Sequence, residues 1–408
     1  MYIFKAAVIG AGTMGGEIAQ VISFSGLPVV MKDIDQGMLD KGMAKAREIY
    51  QRRVEKGKMS AGEMESKMDL ITPTLTYDGF EDVDVVIEAV PERMDIKKRV
   101  FAELDGICPE QTIFASNTSA LSISEMGAAT RRPHKVVGMH FFNPASVMKL
   151  VEVIPGLDTS QETVDDIVMF TEGLRKLPVV VRECPGFLVN RLLMPYLNEA
   201  TKALEEGAAS ATEIDQAIKE WGMPMGPFTL MDMLGIDVCG HVGEYLYSEY
   251  GERMTPAPLF LKLIEARRLG EKTEAGFYDH PGGFESDVVK GMIRDLQASG
   301  AVPTGTKFSV ERLMYPLINE AAMCVQENIA SISDIDMSMV AGTGMTYGGE
   351  RIGPLAIADK IGLDVVVDAL LALEKELGPR FRPSLPLKMR VRAGHLGVKA
   401  GKGFHEYA

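Results

Sequence analysis

Residues 138–154 read GMHFFNPASVMKLVEVI. His140 stands near the end of one apolar run, with an Asn-Pro corner just beyond it. Twelve residues later Glu152 is the single acid inside the next apolar run, among Leu150, Val151, Val153 and Ile154. An unpaired buried carboxylate is costly, so a lone acid in a strand-like run needs a partner. If the two runs pair as neighbouring strands, that partner is His140. A carboxylate holding an imidazole makes a general base suited to neutral pH. The plain alternative is a core histidine beside a surface glutamate, and the surrounding elements must decide between them.

Those elements begin at the N-terminus with KAAVIGAGTMGGEIAQVISFSG. An apolar run, Ala6–Ile9, leads into Gly10-x-Gly12-x-x-Gly15, followed by a helical pattern carrying Ile18, Val21 and Ile22. A second strand-like run, Leu27–Met31, ends at Asp33. Strand, glycine turn, helix, strand and acid in this order form the full dinucleotide-binding context rather than a bare glycine motif. The glycines permit a tight turn and let the backbone approach a pyrophosphate at the helix N-terminus. Asp33 is placed to accept from the adenosine ribose hydroxyls and to repel a 2′-phosphate, which favours NAD over NADP.

VDVVIEAVPE (83–92) and TIFASNTSA (112–120) read as further buried parallel strands. In open α/β sheets ligands sit beyond the C-terminal strand ends, so Glu92 and the cluster Ser116–Ser119 are expected to line the crevice. Ser116 is the functional candidate of that cluster. Thr118 and Ser119 read equally as caps of a helix over Leu121–Met126. The helical segment Met38–Lys58 carries seven cations, including Arg53, Lys56 and Lys58. In an acidic chain this face is a candidate seat for a phosphate-bearing substrate, the alternative being an ordinary solvated face.

At 408 residues the chain has room for two or three domains. Its 46% hydrophobic and 25% charged fractions are those of a globular protein. A net charge of −14 argues against nucleic-acid and anionic-membrane partners, and no apolar run reaches the length of a membrane span. Tyr2–Ile9 lacks the pattern of a secretory leader, so a cytoplasmic location is expected. Cys108, Cys184, Cys239 and Cys324 lie far apart without metal-ligand spacing and read as reduced structural thiols; no metal is expected.

The strings VIGAGTMGGEIA, VVIEAVPE, FASNTS, GMHFFNP, LVEVI, CPGFLVNRLLMPYLNEA and PMGPFTLMDMLGID occur in order along nearly the whole chain. Together they resemble the L-3-hydroxyacyl-CoA dehydrogenase family, and most of all the dehydrogenase portion of bacterial multifunctional fatty-acid-oxidation enzymes. The resemblance implies an α/β Rossmann domain over 1–184 that binds NAD. His140 matches the family's general base and Glu152 its orienting carboxylate. Ser116 and Asn190 match the groups holding the reacting oxygen, and Asn143 a residue near the nicotinamide. Ala89, Glu92 and Lys97 match cofactor contacts beside Gly10, Gly12, Gly15 and Asp33. Lys56 falls where the family has a basic contact to CoA, so the implied substrate is an acyl-CoA.

The second half of the sequence repeats itself. NRLLMPYLNEA (190–200) recurs as ERLMYPLINEA (311–321), and GPFTLMDMLGID (226–237) as GPLAIADKIGLD (353–364). LGEKTEAGFY (269–278) recurs as LGVKAGKGFH (396–405). The intervals are 121 and then 127 residues, so six extra residues fall near the glycine-rich 341–350. Asn190 is replaced by Glu311, as expected for one working and one structural copy. The expected organisation is therefore two tandem all-α domains related by duplication, over 185–283 and 305–408, joined by a linker over 284–304. Such a tandem pair is expected to act as an internal pseudo-dimer in a monomer, with a homodimer through the same helices as the alternative. No enoyl-CoA hydratase-like region is read, so hydratase or thiolase activity is expected from a separate partner. Two rival functions share the scaffold: a dehydrogenase of a free hydroxy acid, and a crystallin-like structural NAD-binding protein.

Overall fold

Short apolar runs bounded by turn residues become strands, while the longer segments with a 3.6-residue period become helices. The computed structural model describes residues 2–407, and the chain divides into two units, Met1–Phe187 and Leu188–Ala408.

The first unit opens with β1 (Ala6–Ile9), α1 (Thr13–Ser25), β2 (Val29–Lys32), α2 (Gln36–Glu55), α3 (Ala61–Met68) and β3 (Ile71–Thr74). It continues through β4 (Val85–Glu88), α4 (Met94–Ile107), β5 (Ile113–Ser116) and α5 (Ile123–Gly127). It closes with β6 (Val136–Phe141), β7 (Leu150–Pro155), α6 (Gln161–Gly173) and β8 (Leu177–Val180). The strands form one sheet in the order β3-β2-β1-β4-β5-β6-β7-β8. Strands β1 to β6 are mutually parallel, β7 is antiparallel to β6, and β8 is parallel to β7. All residues of β1, β4 and β5 are buried, as in a sheet covered on both faces. The strand order reverses between β1 and β4, and such a switch point opens a ligand crevice at the C-terminal strand ends.

The second unit is helical: α7 (Val189–Glu205), α8 (Ala211–Trp221), α9 (Pro227–Leu234), α10 (Ile236–Tyr250) and α11 (Pro258–Glu265) come first. A two-residue hairpin, β9 (Tyr278–Asp279) with β10 (Phe284–Glu285), leads to α12 (Asp287–Ala298). Then follow α13 (Val310–Gln326), α14 (Ile332–Thr343), α15 (Pro354–Ile361), α16 (Leu363–Leu377) and α17 (Leu385–Arg392). Among the described residues no helix is long and apolar enough to cross a membrane.

Helices α7 and α13 exchange charges reciprocally. Arg191 on α7 donates to Glu320 at 2.8 Å and to Glu327 at 2.7 and 3.0 Å. Arg312, the matching residue on α13, donates to Glu199 at 2.7 Å and to Glu206 at 2.8 Å. Both guanidiniums are fully buried, and a buried charge is tolerated when paired and hydrogen-bonded. The glycine-rich stretch also joins the two helical segments: Thr346 donates from its N–H and its hydroxyl to Gly222 O, each at 2.9 Å.

Two boundaries differ from those read in the sequence. The first unit extends to Phe187 rather than 184. The stretch 284–304, read as a linker, contains α12, whose Val289 and Leu296 are buried two turns apart. Its helical period was masked by the flanking His-Pro-Gly-Gly and Gly-Ala-Val-Pro segments, leaving 299–309 as the irregular connection.

Candidate active site

Parallel pairing aligns the ends of the central strands. Glu88 of β4 is in register with Ile9 of β1 and with Ser116 of β5, and Ser116 with Gly138 of β6. The glycine turn, Glu88, Ser116 and His140 therefore share one edge of the sheet.

Register also places His140 of β6 opposite Glu152 of β7. His140 Nδ1 lies 2.7 Å from Glu152 Oε2, with His140 5% exposed and Glu152 fully buried. A carboxylate is an acceptor, so in the neutral imidazole Nδ1 carries the proton and Nε2 holds the lone pair. Phe142 and Phe187 flank the imidazole, with ring centroids at 4.5 and 5.9 Å. These apolar walls keep water off the ring and strengthen the His140–Glu152 interaction. Asn143 is exposed on the turn between the two strands.

The glycine turn separates what the fold requires from what it leaves open. A Cβ on Gly10, at φ +95°, would lie 2.4 Å from Ala89 O, and one on Gly15 would lie 1.7 Å from Gly10 O. Packing therefore demands both glycines. A Cβ on Gly12 would meet Met38 Cε at an ordinary 3.8 Å, so internal packing does not require Gly12. Gly12 is the N-cap of α1 and makes no side-chain cap bond, which leaves the helix terminus fit to hold a phosphate. Asp33 Oδ2 accepts from Ala11 N at 2.7 Å and Oδ1 from Ile34 N at 2.7 Å. The carboxylate is thus fastened beside the turn with acceptor capacity to spare.

Sequence reasoning missed Glu88, the centre of the neighbouring network. This fully buried acid receives Lys97 Nζ at 2.8 and 3.0 Å, Val90 N at 2.7 Å and Ser116 Oγ at 2.6 Å. Ser116 therefore directs its proton inward, and Lys97 also lies 3.1 Å from Glu92. The available signal was an acid closing the apolar run VVIE, with a lysine nine residues later. Glu92 accepts from Thr118 Oγ1 at 2.6 Å and from Ser119 N at 2.9 Å, while the N-cap of α5 is Ser122. Asn117 Oδ1 accepts from Phe141 N at 2.9 Å and ties the end of β5 to that of β6. Asn190 belongs to the second unit, on the first turn of α7. Lys56 is exposed at the C-cap of α2.

Of the cations expected on the basic face of Met38–Lys58, Arg53 joins cations from other stretches of the chain. Arg53, Lys149, Arg175 and Lys176 line a cavity of about 220 Å³ together with Gln20 and Ser146, and no carboxylate among the described residues lines it. Arg53 Nε is buried there without a hydrogen-bond partner. Burial, and then Lys149 beside it, pull the Lys176 ammonium down to about 8.

Comparison with known proteins adds the family. The family model for the 3-hydroxyacyl-CoA dehydrogenase NAD-binding domain matches residues 5–184. The model for the C-terminal domain of the same family matches twice, at 186–280 and 308–407. The chain is 37% identical over 402 residues to the fatty acid oxidation complex subunit alpha of Psychrobacter sp. (strain PRwf-1), covering 96% of this chain and 55% of that protein. It spans about half the length of the curated relatives it matches. Among solved structures, 3-hydroxybutyryl-CoA dehydrogenase from Escherichia coli K12 superposes with a TM-score of 0.86 at 29% identity, covering 96% of this chain and 99% of that one. An (S)-3-hydroxybutyryl-CoA dehydrogenase from Ralstonia eutropha is 41% identical with a TM-score of 0.66, covering 68% of this chain and 99% of that one. An NAD-binding sheet, a helical second half and relatives of this extent lead to one assignment: the chain belongs to the 3-hydroxyacyl-CoA dehydrogenase family.

Proposed function

We propose that this chain interconverts (S)-3-hydroxyacyl-CoA and 3-ketoacyl-CoA with NAD. The observation that carries the reading is the buried His140–Glu152 pair on the same sheet edge as the glycine turn. Nε2 of His140 takes the proton of the substrate 3-hydroxyl. Glu152 holds Nδ1–H and stabilises the imidazolium that results. The bound nicotinamide supplies the hydride acceptor for C3. Gly10, Gly12, Gly15 and Asp33 would hold the dinucleotide, with Ala89, Glu92, Lys97 and Asn143 near it. Ser116 and Asn190 are the residues we assign to the reacting oxygen, Ser116 by turning its hydroxyl toward it from Glu88.

A CoA ester rather than a free hydroxy acid is favoured by the cationic cavity at Arg53, Lys149, Arg175 and Lys176. That cavity suits a phosphate-bearing carrier better than the exposed Lys56 does. We read residues 1–187 as the dinucleotide domain. The helical segments 188–298 and 310–408 we read as copies of one unit, a duplication supported by the reciprocal arginines and the twofold family match. On this reading the internal pairing replaces a dimer, and the chain is a monomer. Four buried cysteines favour a reducing, cytoplasmic setting.

The test follows NADH oxidation with acetoacetyl-CoA and, in parallel, with free acetoacetate. Turnover with the thioester is expected to dominate. His140→Gln is expected to lose at least ~10²-fold in kcat while retaining NADH binding. Unchanged turnover in that variant would overturn the mechanism, and preference for free acetoacetate would overturn the substrate class.

A further inference from the structure

The second unit contains an open cavity of about 390 Å³ that the dehydrogenase reaction leaves unused. Pro316, Met323 and Gln326 of α13 line one side, and Arg382, Ser384 and Lys388, around the N-terminus of α17, line the other. Ser384 is the N-cap of α17, yet its side chain makes no capping bond. Its Oγ is buried without a hydrogen-bond partner, in a residue only 8% exposed. Buried polar atoms are nearly always paired, so this hydroxyl marks a missing partner.

The first helical segment indicates the chemistry of that partner. Matching hydrogen bonds align the two corners: Ala257 N donates to Asn198 Oδ1 at 2.8 Å, and Ser384 N to Asn319 Oδ1 at 2.7 Å. At the first corner the N-terminus of α11 holds an internal carboxyl group, because Leu259 N donates to Glu205 Oε2 at 2.9 Å. In the second segment Gln326 replaces Glu205, and Pro386, which has no N–H, replaces Leu259. Arg382 and Lys388 stand where the first segment has Thr255 and Leu261, and Met323 where it has Lys202. The internal carboxyl group is gone, Arg382 and Lys388 are gained against the loss of Lys202, a net gain of one cation, and the helix N-terminus still favours negative charge. Arg253 and Arg380 at the rim are already paired with Glu320 and Glu199, and Arg382 Nε with Glu374. Lys388 forms no salt bridge among the described residues, so its charge is uncompensated. The proline and methionine walls are apolar, and the volume is that of a small-molecule site.

We propose that this cavity binds a small amphiphilic anion, with its acid group at Ser384 and Lys388 and its apolar body against Pro316 and Met323. The ligand's anion takes the place that Glu205 fills in the first segment. Isothermal titration of the full chain with decanoate, decyl phosphate, decanol and inorganic phosphate tests this. At least one amphiphilic anion is expected to saturate one site, with decanol and inorganic phosphate binding at least tenfold more weakly. The stronger of decanoate and decyl phosphate identifies the head group. Lys388→Glu and, separately, Gln326→Glu are each expected to weaken that binding at least tenfold while NADH oxidation and the melting temperature stay unchanged. Absence of saturable binding by either anion, equal binding of decanol, or wild-type affinity in both variants would overturn the proposal.

Discussion

Tyr278 and His280 close the first helical segment, while His405 and Tyr407 close the second in the opposite order. The hydrogen bonds survive the exchange. Tyr278 donates to Asp215 at 3.0 Å and His280 lies 2.9 Å from Asp232. In the second segment His405 lies 2.7 Å from Asp336 and Tyr407 donates to Asp359 at 3.0 Å. Each buried acid also receives backbone N–H groups from the same places, Phe228 and Thr229 for Asp215, Leu355 and Ala356 for Asp336. A buried carboxylate needs a donor, and phenol and imidazole both serve. What the fold holds constant is therefore donor geometry, while charge is free to vary between the segments. The three differences that matter are Asn190 against Glu311, Glu205 against Gln326, and the position of the histidine.

The largest effect should come from the shared arginines. Arg312→Met leaves Glu206 buried without its cation and is expected to cost about 3–5 kcal/mol in urea denaturation. Arg191→Met should cost less, because Glu320 keeps Arg253 and Glu327 is 38% exposed. Equal losses would break the claim that the two pairs differ in burial. Next, Asn190→Ala is expected to lower kcat by about 10²-fold, the scale of one lost oxyanion donor. Glu311→Ala at the matching place should leave it unchanged, and a similar loss there would erase the division between working and structural segments.

A smaller effect concerns Glu205, whose carboxyl is pushed up to about 7 by burial. An unfolded glutamate titrates near 4.3, so the folded state holds the extra proton between these values. Stability from this group is present at acid pH and lost as pH rises from about 4.5 to about 7. Melting temperatures across that window should show the slope, and Glu205→Gln should flatten it. The smallest effect belongs to His405, which Asp336 raises above the ordinary histidine range. Its contribution is complete below the unfolded value near 6.5 and is lost as pH rises through the higher folded value. His405→Asn should remove that slope, by no more than about 1 kcal/mol for a partly exposed pair.

The His140–Glu152 pair was legible because each residue interrupts an apolar run and pairing of the runs brings them together. The glycine turn was legible for a similar reason, since its spacing carries its own geometry. Glu88 was not, because an acid ending a strand reads as exposed until parallel pairing places Ser116 and α4 around it. The cationic cavity escaped notice because Arg53, Lys149 and Arg175 come from three separate stretches of chain. Helix α12 was hidden by its glycine- and proline-rich flanks. Arg191 and Glu320 lie 129 residues apart, and no periodicity links them. The repeated Arg-Leu…Asn-Glu-Ala strings held that information, but reading it required knowing that the two helices meet.

The reciprocal arginines also make this protein's state of association depend on its tether. Arg191 finds its carboxylates on α13 and Arg312 finds its own on α7, so each helical segment carries half of a self-complementary surface. The connection over 299–309 holds the two halves at a high effective concentration, which favours pairing within one molecule. Shorten that connection until it cannot span the gap, and the same charges would pair across two molecules as a domain-swapped dimer. The length of that connection thus sets whether the chain would be one molecule or two.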